Sequence, residues 1–329
     1  MKKIYLVPSL IVLLTCACTV TTLSSAPNAS DSSIEAPSSN EVISSIEPSS
    51  FAPSIPSSIE EIPNPLLDNY TLYWADEFDG TSLNTSYWEP QIGDGTDYNV
   101  YRWGNNEQQY YKSENAIVNN GELHIVAKKE RTTVYADEET VTYDYTSARL
   151  RTTRKVTTTY GYIEARIKLP AGTGLWPAFW MLPEDNFEGR WWPTNGEIDI
   201  MEARGRVLNK YGATIHTGNA NGQDVYKNKD YTFTNEEEDI TGYHRYGTEW
   251  STSGFAFYID GNKFFEVSPE TYQGNNSLYS VSENAPFDRP FHLLLNMAVG
   301  GNYDNNRVPD ASFSQAEMIV DYVRIYHKN

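Results

Sequence analysis

Cysteine is nearly missing from this chain of 329 residues: there are two, Cys16 and Cys18. The body therefore has no disulfide framework and no thiolate metal centre. Histidine is also scarce, with five scattered copies, which excludes a Cys/His zinc module. No apolar run after the first twenty residues is long enough to span a bilayer. Positive charge is in deficit, with 25 Lys and Arg against 44 Asp and Glu and a net charge of −19. A nucleic-acid binder needs a basic face to neutralise phosphates, so no nucleic-acid partner is expected. Aromatic residues are plentiful: they form 13% of the chain, and all eight Trp lie beyond residue 66.

The first residues read as an export signal. Lys2 and Lys3 precede the apolar stretch Ile4 to Leu14, which is of signal-peptide length. The following Leu13-Leu14-Thr15-Cys16-Ala17-Cys18 resembles a bacterial lipoprotein signal, with Ala17 before the acylated Cys18. An ordinary secretory signal with two incidental cysteines is the alternative. Both place the mature protein outside the cytoplasm, and lipidation at Cys18 would hold it at the cell surface. Residues 21–65 contain 14 Ser, 7 Pro, 6 acidic residues and no Lys or Arg. Such a segment buries too little apolar surface to offset the entropy of ordering. The expected organisation is a signal at 1–18, a disordered linker at 19–66 and one domain at 67–329.

That domain shows period-two alternation rather than a helical stripe. Leu123-His124-Ile125-Val126-Ala127, Ala148 to Thr152, Tyr162 to Leu169, Phe255 to Ile259 and Ile319 to Tyr326 all alternate apolar and polar residues. Asp260-Gly261-Asn262 between two such runs signals a hairpin. The expected fold is all-β: a two-sheet antiparallel β-sandwich of the jelly-roll kind.

The chemistry concentrates in Gly196-Glu197-Ile198-Asp199-Ile200-Met201-Glu202. On a regular strand Glu197 and Asp199 share a face, and Glu202 is one residue out of phase. A β-bulge near Met201 would return it to that face. Two glutamates on one face suit a retaining glycosidase, and three crowded carboxylates cannot all ionise freely. A solvated acidic strand is the plain alternative for the heptapeptide alone. Nearby, Trp176, Ala178 and Trp180 share one strand parity, and Trp191-Trp192-Pro193 follows. Tryptophan faces stack on sugar C–H faces, although buried Trp also fills cores.

Together these segments resemble glycoside hydrolase family 16, in particular its bacterial laminarinase-like members. The likeness runs from about Tyr73 to Tyr326. It includes Trp74-Ala75-Asp76-Glu77-Phe78, Trp103-Gly104-Asn105-Asn106-Glu107-Gln108-Gln109-Tyr110-Tyr111, Tyr145 to Arg149, Leu294 to Gly301 and Val320 to Tyr326. The resemblance implies a concanavalin-like jelly roll with a concave substrate cleft. It also implies a retaining, endo-acting hydrolase of β-1,3-glucan or mixed-linkage β-glucan, with Glu197 as nucleophile, Glu202 as acid/base and Asp199 bonded to Glu197. A non-catalytic glucan-binding protein and a transglycosylase on the same fold remain alternatives. By position, Asn105, Arg149, Trp176, Trp180, Trp192 and His216 would contact sugar. Asn296 reads as a cleft residue or a satisfied core amide. No cofactor is expected for catalysis. Glu77, a carbonyl near Gly121 and Asp321 resemble a structural calcium site, although carboxylates without a metal fit as well. The polysaccharide is the expected partner, the chain is expected to be a monomer, and a membrane enters only through the N-terminal anchor.

Overall fold

In the computed structural model the alternating segments form strands, and the apolar half of each alternation turns inward. The structure describes residues 64–136, 139–184, 191–219, 221–273 and 284–329. The signal, Cys18 and the linker up to residue 63 lie outside the described residues.

Two large sheets carry the domain. In the ten-stranded sheet the order is Asn262–Val267, Gly254–Ile259, Tyr243–Ser251, Gly161–Lys168, Gln315–Lys328, Glu122–Lys128, Tyr145–Ser147 and Gln109–Tyr111. Tyr70–Asp76 also pairs with Gln315–Lys328, and Ala116–Asn119 with Glu122–Lys128. In the eight-stranded sheet the order is Asp224–Thr232, Lys210–Gly218, Glu197–Ala203, Leu175–Pro183, Phe291–Val299, Arg149–Arg151 and Glu89–Pro90. Thr157–Thr158 pairs with Phe291–Val299. Pairing is antiparallel except between Gln109–Tyr111 and Tyr145–Ser147. The expected jelly-roll sandwich is thus the observed architecture.

Side chains from both sheets fill one core. Ile163, Ala165, Ile167, Val323 and Ile325 come from the ten-stranded sheet, and Leu175, Phe179, Met181, Ile198, Leu293, Leu295 and Met297 from the other. Each fully buried Leu, Ile or Phe stabilises the fold by about 1.5–3 kcal/mol. All nine residues of Phe291–Val299 are buried. Its odd-numbered members face the core, and its even-numbered members support the outer face where the carboxylates lie. The Asp260-Gly261 turn has the two positive φ angles, 50° and 81°, that a two-residue hairpin of primed type requires.

The described residues before Tyr70 pack on the ten-stranded sheet. Asn64 caps a 3-10 turn over Pro65–Asn69, accepting from Leu66 N, and its Nδ2 donates to Glu164 Oε2 at 3.4 Å. Leu66 and Leu67 pack against Tyr162, Tyr258 and Tyr326 on the outer face of the ten-stranded sheet. No local pattern shows these contacts, because they are made with residues about a hundred positions away or more.

Candidate active site

The strand Glu197–Ala203 contains the expected bulge. Glu197 pairs with His216, Asp199 with Thr214 and Glu202 with Gly212 on the next strand. Five steps on one strand therefore oppose four on its neighbour, and the pairing with Leu175–Pro183 shifts at the same place. Ile198, Ile200, Met201 and Ala203 all enter the core, with two consecutive residues directed inward at the bulge. Burying the Ile200–Met201 pair turns Glu202 outward to the face of Glu197 and Asp199.

His216 lies among these carboxylates. Nε2 of His216 lies 3.3 Å from Asp199 Oδ2, and its Nδ1 lies 3.0 Å from Asp224 Oδ1. Burial pulls the ring down, but Asp199, Glu197 and Asp224 outweigh it and raise His216 to about 10, so it is charged at neutral pH. Burial and then Asp199 raise Glu202 to about 8, against the pull of His216, a hydrogen bond from Trp176 and Arg204. Burial and Asp199, which hydrogen-bonds to it, also push Glu197 upward, while His216 opposes them. Like charges in a half-buried site favour retaining a proton. Glu197, Asp199 and His216 offer ligand atoms within 4.8 Å of one another. A metal would need a neutral imidazole with a free nitrogen, and here both ring nitrogens face carboxylates, so the trio reads as an ion-pair cluster.

The aromatic residues line the same face. Trp176 donates from Nε1 to Glu202 Oε1 at 3.0 Å and stacks on Tyr303 with ring centroids 5.0 Å apart. This close stack needs Gly301 beside it, where a Cβ would lie 3.0 Å from the indole. Trp180 donates to Asn296 Oδ1 at 2.7 Å, and the guanidinium of Arg149 lies 4.7 Å from its ring centroid. Asn296 is the satisfied amide, buried and bonded also to the Tyr111 hydroxyl at 3.2 Å. Trp192 is 52% exposed, with its ring 6.0 Å from that of His216. Asn105 lies near the Trp176 end, its carbonyl accepting from Asn302 N.

The family model described as "Beta-porphyranase A-D, GH16 domain" matches residues 72–328. The chain belongs to glycoside hydrolase family 16. It is 39% identical over 271 residues to Glucan endo-1,3-beta-glucosidase A1 of Niallia circulans, covering 80% of this chain and 39% of that protein. It is 35% identical over 270 residues to the Beta-glucanase of Rhodothermus marinus, covering 78% of this chain and 85% of that protein. The chain thus spans about two-fifths of the first relative and most of the second. Among solved structures, the endo-beta-1,3-glucanase from Pyrococcus furiosus superposes with a TM-score of 0.69 at 39% identity, over 79% of this chain and 95% of that one.

The residues of this family 16 domain that resembled a calcium site are engaged otherwise. Glu77 receives Arg324 through Nε at 2.7 Å and Nη2 at 2.9 Å, and Asp321 receives Arg166 at 2.7 Å. Gly121 is in the turn between Ala116–Asn119 and Glu122–Lys128. Calcium takes six to eight oxygens, and these carboxylates, held by guanidinium groups, do not fit it as placed. The pairs instead tie Arg324 and Asp321 on one strand to the flanking segments.

Sequence reasoning assigned no role to Glu107, Tyr111, Trp103, Arg204 or Tyr303. Trp103 completes a sandwich around Arg149, 4.5 Å from its ring centroid. Arg204 lies 4.0 Å over the Tyr303 ring beside the acid/base candidate. The segment from Trp103 to Tyr111 was singled out as a motif, so its charged member was the available signal.

Proposed function

We propose that this domain is a retaining endo-β-glucanase acting on β-1,3-linked or mixed-linkage β-1,3-1,4-glucan by double displacement. The observation that carries this reading is the bulge that turns Glu197, Asp199 and Glu202 to one face beside Trp176 and Trp180. The relatives named above for β-glucan cleavage support the substrate class.

Glu202, raised to about 8, holds its proton at neutral pH. It delivers that proton to the glycosidic oxygen while Glu197, whose charge the His216 cation supports against burial and Asp199, attacks the anomeric carbon as the carboxylate; the C–O bond to the leaving sugar breaks and a glycosyl ester forms. Glu202, now a carboxylate, takes a proton from water, whose oxygen displaces Glu197 with net retention. Trp176 fixes the Glu202 carboxyl. Asp199 and the His216 cation set the charge around Glu197. The sugar rings stack on the tryptophans, and Asn105 and Arg149 meet their hydroxyls.

The test is a panel of laminarin, lichenan, agarose and carrageenan, with chromatography of the products from wild type and Glu197→Gln. New reducing ends from laminarin or lichenan, lost in the variant, are expected. Tight glucan binding without new reducing ends would make the domain a binding protein, and products longer than the substrate would make it a transglycosylase. We place the domain outside the cell, tethered through Cys18 by the Ser/Pro-rich linker; Cys18→Ala should then release activity from the membrane fraction into the medium.

A further inference from the structure

One buried carboxylate plays no part in the double displacement. Glu107 is 2% exposed, and three side chains donate to it: Gln109 Nε2 at 2.7 Å, Tyr111 hydroxyl at 3.0 Å and Asn105 Nδ2 at 3.5 Å. We propose that Glu107 is a positioning residue that sets the sugar-binding face by holding Asn105, Trp180 and Arg149 in register from below.

The geometry supplies three arms. Asn105, placed among the sugar contacts, bonds to Glu107 directly. Through the second arm the Tyr111 hydroxyl donates to Glu107 and accepts Asn296 Nδ2, while Asn296 Oδ1 accepts the Trp180 indole. A chain of three hydrogen bonds thus connects the carboxylate to the plane of the indole. The third arm is charge. Arg149 is 7% exposed and lies between Trp103 and Trp180, with Nε on Gln91 Oε1 at 2.7 Å. Burial works against its charge, and Tyr111, Glu107 and Glu197 sustain it; burial also lifts Glu107, against which Arg149 and the three donors stabilise the carboxylate. An isolated buried guanidinium would be costly without such a counter-charge.

The backbone makes the same demand. Arg102, Trp103 and Asn106 all have positive φ, at 49°, 52° and 57°. Residues held there persist only when their surroundings over-determine them. Glu107 follows at once, and its bridge to Gly300 together with the Gln109 Oε1 bond from Val299 N anchors the loop to the sheet.

This inference rests on the glucanase reading, and the experiment separates the two. Kinetics on β-1,3-gluco-oligosaccharides are measured for wild type, Glu107→Gln, Arg149→Met and the double variant, with thermal melts of each. Glu107→Gln keeps an oxygen for Tyr111 and Gln109 and removes the charge. It should raise KM about tenfold, the equivalent of roughly 1.4 kcal/mol, with kcat lowered less than about threefold. The double variant should lose much less than the sum of the two singles, because the orphaned charge is gone. A purely structural role would lower the melting temperature and leave KM unchanged. Where Glu107→Gln does not fold, Tyr111→Phe cuts the relay and leaves the charge, and it should raise KM about threefold. An unchanged KM in the folded variant, or strictly additive singles, overturns the proposal. Wild type that cleaves no glucan sinks the functional reading instead; the Trp180 share of the emission, taken as the difference from Trp180→Phe in each background, would then report the Glu107 relay, an unaltered share in Glu107→Gln and Tyr111→Phe counting against it.

Discussion

On the outer face of the ten-stranded sheet, Glu164 is 2% exposed and accepts the hydroxyls of Tyr162 and Tyr322, each at 2.8 Å, with Asn64 reaching it from the cap of the Pro65–Asn69 turn. On the outer face of the eight-stranded sheet, Glu202 receives one donor among the described residues, the Trp176 indole, and shares its surroundings with Asp199 and Glu197. Both are withdrawn from water, Glu164 almost wholly and Glu202 in part. What differs is the company: donors converge on the first glutamate and like charges on the second. A carboxylate ringed by donors ties strands together, whereas Glu202, facing carboxylates, keeps a proton that chemistry can use. Glu107 is intermediate, donor-ringed yet joined to the reactive face.

The largest expected effect separates the two faces outright. Glu202→Gln should lower kcat on β-1,3-glucan by about 10²–10⁴-fold, the usual contribution of a general acid–base residue. The same change should stabilise the protein. Glu202 binds its proton more tightly when folded, so the wild type loses stability as pH rises from about 4.5 to about 8. Glutamine has no proton to lose. The melting temperature of the variant should therefore exceed that of wild type by a margin that widens over this interval; a constant margin would contradict the assignment.

Glu164→Gln should behave oppositely. It weakens a satisfied network and should cost about 1–3 kcal/mol, or about 2–4 °C in melting temperature per kcal/mol for a domain of this size. Its kcat and KM should remain at wild-type values. Lost activity in well-folded protein would break the contrast between the faces.

The alkaline limb of the rate profile offers a finer test. Activity should fall as pH rises through about 8, where Glu202 loses its proton. Asp199→Asn removes a charge that raises Glu202, so the limb should move to lower pH. Trp176→Phe removes a hydrogen bond that lowers it, so the limb should move higher. Both variants will be slower, and the informative quantity is the midpoint of kcat against pH.

The strands, the hairpin at Asp260-Gly261 and the bulge were legible because each follows from local period and turn chemistry. The three carboxylates were legible for the same reason: Glu202 is out of phase by one, and only a bulge restores it. What the sequence concealed was long-range satisfaction. Whether Glu77 and Asp321 hold an ion or two arginines depends on Arg324 and Arg166, which no local pattern links to them. The pairing of Asn64 with Glu164 and the relay from Glu107 to Trp180 likewise join residues remote in sequence.

The smallest expected effect concerns Trp192, half exposed beside His216, whose ring is in turn 5.7 Å from that of Tyr226. Two roles compete for this indole. As a sugar platform it contributes stacking of about 1 kcal/mol, so Trp192→Ala should raise KM roughly fivefold. As a shield it keeps water from the ion pairs between His216 and the carboxylates Asp199 and Asp224. Removing a shield would weaken the His216 cation's hold on Glu202 and shift the alkaline limb, leaving KM largely alone. The exposure of Trp192 favours the platform, since a shield of that kind would be expected to bury more of its own surface. A raised KM with an unmoved limb therefore assigns the ring to substrate, and a moved limb with an unchanged KM assigns it to the charge cluster.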